Sequence, residues 1–580
     1  MKKFFSYNTV LFNKRQLMML GALCITFLGT SILETVSVGA LYPFFTSLLN
    51  PEAITEQKWY LLLSYWVKLD SVTKYLVLFL ILLITLYLVK TVALLGAARF
   101  QVRTLTRLRC DISKELYAKV LSQEYSVLKH KNTAEIQRTL TTDVSYTFNA
   151  VSAAMTMVQQ AITGIAFVGI LICMDPILTF GMSVLMVAVY FLYQKMSGRL
   201  TTTAGKKART AFIGMLQTTR ESIGMIKLVL VSGKQKYFVD RYNQFTEEHA
   251  QQEQKSLFFQ KIPRIIFEVV VMCGVLLYIL VLICTDGDFL GRLPVFITFA
   301  LATVKLIPVV SSLASNSNTI RFCLAPFERV CEVVREKPAG EVAGEPMEKP
   351  MDEMGPKALT RGVEVVDLQF AYEDGITLLN QVSIEIPANK ITGFIGKTGS
   401  GKTTMADLIL GLYEPISGDI LIDGMPLQEM RKWWAGKVGY VTQAVVLQDS
   451  TIRENLTWGL EKEADEEKLW SCLRAVQMEE FVLKLPDGLD TRTGENGARL
   501  SGGQIQRLGI ARALYHDPVF LVLDESTSAL DHETEAAVLQ TLQNIREGRT
   551  ILLITHRDTA MNICDRVYDF TNGEVHCTKQ

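Results

Sequence analysis

Nine consecutive residues, Gly396-Lys397-Thr398-Gly399-Ser400-Gly401-Lys402-Thr403-Thr404, could wrap a chain of phosphates. Glycines at 396, 399 and 401 let the backbone pass close to a ligand with its N–H groups turned inward. Lys402 can reach β- and γ-phosphates, Thr403 offers a hydroxyl to Mg²⁺, and a helix opening near Lys402 adds the positive end of its dipole. A chance glycine-rich turn would lack the flanks found here. Lys390-Ile391-Thr392-Gly393-Phe394-Ile395 reads as a buried strand and residues 405–412 as a helix. A second chemical stretch, Val519-Phe520-Leu521-Val522-Leu523-Asp524-Glu525, is an apolar strand ending in two carboxylates. Ligands of open α/β sheets sit at the carboxyl ends of strands, so both acids are expected at the phosphates. Asp524 then suits Mg²⁺, and Glu525 suits removal of a proton from the attacking water. A third stretch, Leu500-Ser501-Gly502-Gly503-Gln504, leads into a helical pattern over 504–515 and makes another anion cradle at a helix start. One nucleotide does not need two cradles in one domain. The second is therefore expected to serve ATP held by another copy of the chain.

These residues belong to a region, from 363 onward, where short apolar runs alternate with helical patterns. That alternation signals an α/β domain with a largely parallel sheet. Residues 336–362, rich in Glu, Pro, Gly and Met without apolar periodicity, form a linker containing a domain boundary. The 580 residues are too many for one core. Apolar residues make up 49% of the chain, and the excess lies mostly before residue 315. Six windows there, 17–49, 73–98, 148–174, 176–193, 262–284 and 289–313, are each long and apolar enough to cross a bilayer, which takes about 20 residues. The division is thus 1–335 membrane domain, 336–362 linker and 363–580 nucleotide-binding domain.

Lys and Arg placement orients the spans. Lys2, Lys3, Lys14 and Arg15 precede the first, the connection from the second to the third carries nine cations between Arg99 and Arg138, and the connection from the fourth to the fifth is similarly basic. Both termini, both long connections and the ATPase domain are expected on the cytoplasmic side of a bacterial inner membrane. The long connections read as helical extensions that turn near 122–130 and near 218–226. An apolar, aromatic stretch at 56–68, flanked by charge, reads as an interfacial helix on the outer leaflet. The basic, apolar N-terminus is too long for a cleaved leader and reads as a retained span.

Composition also excludes. Lys and Arg number 59, balanced by 59 Asp and Glu, so no global charge points to a nucleic-acid partner. Ten scattered Cys and six dispersed His offer no metal spacing and no disulfide framework.

The phosphate loop, Leu500-Ser501-Gly502-Gly503-Gln504, Asp524-Glu525 and His556 together resemble the ATPase domain of ABC transporters over 363–573. The six-span region ahead of it is similar to the exporter-type membrane domain. The resemblance implies an α-helical six-span membrane domain followed by an α/β P-loop ABC ATPase domain, working as a homodimer with ATP and Mg²⁺. It further implies that Tyr372 stacks on adenine, and that Gln443 touches Mg²⁺ and faces the membrane domain. By the same likeness Thr493-Gly494-Glu495-Asn496-Gly497 contacts the cytoplasmic helices, Ser528-Ala529-Leu530-Asp531 crosses the dimer interface, and His556 senses the γ-phosphate. Glu525 and the Ser-Gly-Gly cradle are both intact, which favours two working sites.

The cargo is written less plainly. Ile32-Leu33-Glu34-Thr35 with Tyr42-Pro43-Phe44, Pro263-Arg264-Ile265-Ile266-Phe267-Glu268 and Lys305-Leu306-Ile307-Pro308 are similar to segments of bacterial lipid-linked oligosaccharide flippases. In such flippases cationic side chains meet the pyrophosphate of a polyprenyl carrier. Lys90, Arg99, Arg103, Arg264 and Lys305 are the candidates here. Structural pairing between helices is the competing reading for Lys90 and Lys305 inside the spans and for Arg99 and Arg264 at their inner boundary. Multidrug or lipid export and peptide or natural-product export are the alternative functions.

Overall fold

The computed structural model describes residues 11–49, 72–174, 176–285, 293–335, 358–372, 377–460, 464–525, 532–546, 548–571 and 574–579. The expected outer-leaflet helix at 56–68, Asp175 between the third and fourth windows, most of the linker and residues 526–531 lie outside that set. The chain divides into two compact units. One comprises 1–123 and 130–338, the other 124–129 and 339–580.

The first unit is all helix: α1 (Lys14–Gly39), α2 (Leu41–Leu49), α3 (Val72–Leu121), then, past the short α4 (Tyr125–His130), α5 (Thr133–Arg138). After a π-helical turn over Thr139–Asp143 come α6 (Val144–Met174), α7 (Pro176–Gly224), α8 (Ile226–Val231), α9 (Gln235–Thr285), α10 (Leu293–Phe322) and α11 (Leu324–Arg335). Helices α3, α7 and α9 hold 50, 49 and 51 residues. At 1.5 Å per residue each is about 75 Å long, more than twice a bilayer's hydrocarbon core. Among the described residues three helical stretches are long and apolar enough to cross a membrane, Lys14–Phe45, Thr73–Leu121 and Thr133–Cys173. Of the remaining expected windows, 176–193 lies in α7, 262–284 in α9 and the described part of the last, 293–313, in α10.

Polar groups in these helices find partners close by, as a low-dielectric setting demands. Thr30 and Thr35 donate to carbonyls three or four residues back, while the Ser31 and Thr163 hydroxyls meet at 2.7 Å and tie α1 to α6. Pro263 stands inside α9 and has no N–H, which leaves the Phe259 carbonyl without its helical donor. Tyr193 on α7 and Asn318 on α10 supply the bonds instead, the Asn318 amide at 3.0 Å. Asn318 also donates to Tyr193 at 2.9 Å, and Ser197 donates to Asn318 at 3.1 Å. A proline in one helix is thus answered by side chains of two others.

The π turn has a comparable role. It brings Asp143, fully buried, onto Arg138, 2% exposed, with Nε donating to Oδ1 at 2.9 Å. Arg209 of α7 donates to the other carboxylate oxygen at 3.0 Å and also pairs with Glu135. Arg138 lies 4.8 Å over the Phe212 ring and donates to the Arg209 carbonyl.

Close backbone approach is written into Gly205 on α7. A Cβ there would stand 2.0 Å from the Phe322 carbonyl oxygen at the end of α10. Backbone cannot retreat as a flexible side chain can, so Gly205→Ala is expected to cost about 1–3 kcal/mol. Thermal unfolding of the detergent-solubilised protein measures it. Gly224→Ala, where a Cβ meets open space, is the control expected to leave the midpoint unchanged.

The second unit holds two sheets. A four-stranded antiparallel sheet runs β2-β1-β4-β5, from β1 (Gly362–Ala371), β2 (Thr377–Pro387), β4 (Ser417–Ile422) and β5 (Met425–Pro426). A six-stranded sheet runs β10-β9-β3-β8-β7-β6. Its members are β3 (Ile391–Gly396), β6 (Val438–Val441), β7 (Phe520–Asp524), β8 (Thr550–Ile554), β9 (Arg566–Thr571) and β10 (Glu574–Lys579). Strands β6, β7, β8, β3 and β9 are parallel and β10 is antiparallel to β9. The parallel sheet follows the sequence expectation, whereas the separate antiparallel sheet was not expected. Phe394, Phe520 and Val522 of the parallel sheet pack with Val365, Ile384 and Ile420 of the antiparallel one around Trp434. The opposite face of β3, β7 and β8 packs on Leu508, Ala511 and Leu514 of the helix Gly502–Tyr515, which follows the second anion cradle.

Candidate nucleotide site

Strand β3 delivers the phosphate loop to the middle of the parallel sheet, and α12 (Lys402–Ile409) carries the chain away. Gly396 has φ of 133°, and a Cβ there would lie 2.4 Å from the Phe570 carbonyl oxygen of β9. Gly401, with φ of 102°, stands at the N-cap of α12 in the left-handed region. Both positions require glycine. The Lys402 ammonium curls back and donates to the carbonyl oxygens of Gly396 at 2.7 Å and Lys397 at 2.8 Å. It is held at the centre of the loop by acceptors that phosphate oxygens can replace. Burial draws its pKa down, opposed by the charges of Glu525 and Asp524. The Ser400 Oγ is buried and has no partner among the described residues, so an entering oxygen acceptor would satisfy it. Thr398 and Gly399 complete the loop, exposed, and Thr404 follows on α12, buried. The residues fit a triphosphate.

Asp524 closes β7 and is 7% exposed. Burial and the neighbouring Glu525 push its carboxyl pKa up, against hydrogen bonds from the hydroxyls of Thr403 and Tyr440. A carboxylate so crowded by negative charge, beside a hydroxyl, has the donor set of a divalent-cation site. Tyr440 had no local signal in the sequence, since it lies on β6 and meets Asp524 only through strand pairing. Farther along α12, burial pushes the Asp407 carboxyl up to about 6.

Glu525 leaves the strand in a left-handed conformation, φ 45°, uncommon for a residue with a side chain. Its N–H donates to the Ile554 carbonyl of β8 at 3.0 Å. The turn aims the carboxylate between two donors. Gln443 Nε2, just beyond β6, reaches Oε2 at 2.6 Å, and His556 Nε2, just beyond β8, reaches Oε1 at 2.6 Å. Residues 443, 525 and 556, far apart in sequence, converge because β6, β7 and β8 are adjacent parallel strands.

Ser501 caps α13 (Gly502–Tyr515), its hydroxyl accepting from Gln504 N at 3.3 Å while Gln504 Oε1 accepts from Ser501 N at 2.8 Å. Gly502 and Gly503 form the first turn. Among the described residues no hydrogen bond joins this cradle to residues 396–404 of the same chain. Tyr372 lies just past β1 with its hydroxyl 2.8 Å from Thr404 Oγ1. Asp531 lies outside the described residues.

The membrane candidates separate. Lys90 is 6% exposed, donates to Ser37 Oγ at 3.2 Å and stands 4.4 Å over the Tyr87 ring. Arg99 and Arg103, one helical turn apart on α3, and Arg264 on α9 are exposed in the single chain. The Lys305 side chain lies outside the described residues. An apolar groove of about 610 Å³ runs between α6, α7 and α10, lined by Gly164, Val168, Met182, Met186, Leu306 and Val309 among others.

Comparison with known proteins gives two family matches, "ABC transporter transmembrane region" over residues 28–300 and "ABC transporter" over 379–528. A protein of Albidiferax ferrireducens named ATP-dependent lipid A-core flippase is 30% identical over 504 residues, 85% of this chain and 84% of its own. A Lactococcus lactis protein named multidrug resistance ABC transporter ATP-binding and permease protein is 29% identical over 418 residues, 70% of this chain and 64% of its own. A solved structure described as a bacterial Atm1-family ABC exporter with ATP bound superposes with a TM-score of 0.75 at 22% identity, covering 94% of each chain. With a helical membrane region and an α/β ATP-binding domain in one polypeptide, and a relative that matches it along most of both lengths, the chain belongs to the ABC transporters, as an exporter that couples ATP hydrolysis to transport across a membrane.

Proposed function

We propose that two copies of the chain form a homodimer that moves an amphiphile with an anionic headgroup across the bacterial inner membrane, a lipid-linked (polyprenyl-pyrophosphate) oligosaccharide being the favoured cargo. Arg99, Arg103 and Arg264 carry this reading. They are exposed guanidinium groups at or just past the cytoplasmic ends of expected spans, where a diphosphate headgroup is a bidentate partner. The name of the Albidiferax ferrireducens relative, a lipid flippase, supports the same class.

In this reading each ATP lies between residues 396–404 of one copy and Ser501, Gly502 and Gly503 of the other, with Tyr372 against adenine and Asp531 at the interface. Thr403, Gln443 and Asp524 would hold Mg²⁺, which when bound offsets phosphate charge. Glu525 takes the proton from the attacking water, while His556 and Gln443 fix its carboxylate. Closure of the ATP-bound dimer opens the membrane cavity outward, and hydrolysis resets it. Both termini lie in the cytoplasm, following the cation-rich loops.

A second reading is multidrug export. Among the described residues the groove between α6, α7 and α10 has no charged lining residue, and one relative carries that name. Reconstitution into liposomes with a fluorescent polyprenyl-pyrophosphate sugar decides between them. The expected result is ATP-dependent transfer across the bilayer, lost in an Arg264→Ala, Lys305→Ala double variant. Absence of transfer, with ATPase stimulation by varied amphiphiles instead, assigns the protein to drug export.

A further inference from the structure

Residues 124–129 belong to the second unit although the chain enters them from α3 and leaves them for α5. Within that unit Lys129 of α4 donates to the Tyr413 hydroxyl at 3.1 Å. Its ammonium stands 5.1 Å from the centre of the Tyr372 ring and 5.6 Å from that of Tyr413. Tyr125 of the same helix closes edge-on against Tyr413 at 5.5 Å. The bond to Tyr413 raises the Lys129 pKa, so the side chain is a cation at neutral pH. Tyr372 is held at its far end as well, since its hydroxyl and Thr404 Oγ1 share a hydrogen bond of 2.8 Å. Phe370 and Tyr413 meet the Tyr372 ring edge-on, which fixes its plane.

Two groups expected to receive a nucleotide, the Tyr372 ring and the Thr404 hydroxyl, are therefore engaged with each other and with Lys129. An ammonium and a base cannot share one ring face, because each is drawn to the same electron-rich surface. We propose that Lys129 is a positioning residue that sets affinity for the base of the nucleotide: it holds Tyr372 folded onto Thr404, and the base displaces that contact in order to stack. The proposal rests on the nucleotide-site reading given above. A ligand that binds only when such a contact is open has its affinity reduced in proportion to the fraction of time the contact is open. Lys129 sits on the connection between α3 and α5, so withdrawal of α4 strengthens base binding. By linkage, base binding loosens the hold on α4 to the same degree.

The test is equilibrium binding to the purified full-length protein, with ATP and with inorganic tripolyphosphate as a probe that has no base. Lys129→Met is expected to tighten ATP binding about threefold while leaving tripolyphosphate unchanged. In a Tyr372→Ala background the same substitution is expected to change neither. Tyr413→Phe, which removes the hydroxyl that anchors Lys129, should shift ATP in the same direction, and it serves if Lys129→Met folds poorly. Weakened or unchanged ATP binding, an equal shift for both ligands, or an undiminished shift without Tyr372 each overturn the proposal. Lys402→Ala reports separately on the nucleotide site. If it binds both ligands as wild type does, the site reading fails, whereas failure of the Lys129 proposal leaves the loss in Lys402→Ala intact.

Discussion

Glu525→Gln is expected to lower ATP turnover by about 10²–10⁴-fold while ATP binding persists. The substitution keeps the size of the side chain and leaves the phosphate loop untouched. It removes the carboxylate proposed to accept a proton from water. The surroundings add to the effect. Both carboxylate oxygens accept, from Gln443 at 2.6 Å and His556 at 2.6 Å. An amide offers one acceptor and one NH₂, so one of those donors would face another donor. The left-handed backbone at residue 525, fixed by its N–H bond to Ile554, would still aim the side chain at the same place. The loss should therefore be chemical and not a refolding of the turn. Phosphate release measured beside ATP affinity separates the two, and turnover near wild type would remove Glu525 as the base.

The second large effect is expected far from the nucleotide. Asp143→Ala leaves Arg138, 2% exposed, without its carboxylate, and takes from Arg209 its 3.0 Å partner as well. Breaking a buried pair from one side costs about 3–5 kcal/mol, mostly the penalty of the charge left behind. Thermal unfolding in detergent should show a midpoint lowered by several degrees. Adding Arg138→Met should recover part of the loss, because no buried charge then stands alone. A single variant as stable as wild type would show that water or Glu135 takes over the role of Asp143.

The motor was largely legible in the chain. Its chemistry is carried by contiguous stretches: a glycine-rich loop after an apolar strand, an apolar strand ending in two acids, and a Ser-Gly-Gly helix start. Local patterns of that kind survive without tertiary information. The spans were legible for the same reason, since about 20 apolar residues announce themselves. What escaped depends on partners distant in sequence. Arg138 and Lys129 read as ordinary loop cations. One is buried on Asp143 through a π turn that no composition signals, and the other lies over Tyr372, 243 positions away. Lys90 read as a candidate for cargo, and its burial against Ser37 appears only once α1 and α3 pack. The antiparallel sheet was missed because β1 and β2 mix polar with apolar residues and are only partly buried, whereas β7 and β8 are mostly apolar runs buried along their whole lengths.

The membership of residues 124–129 in the second unit bears on how such chains can be recombined. Along the gene the linker looks like a seam where one half could be exchanged for another. In space the ATPase unit is discontinuous: six of its residues are encoded more than 200 positions upstream of the rest. A graft of 339–580 onto a foreign membrane domain would present Tyr372 and Tyr413 to whatever segment the host supplies in place of Tyr125 and Lys129. Modularity of this chain is therefore a property of three cuts, not one, and the smaller piece has to travel with the larger.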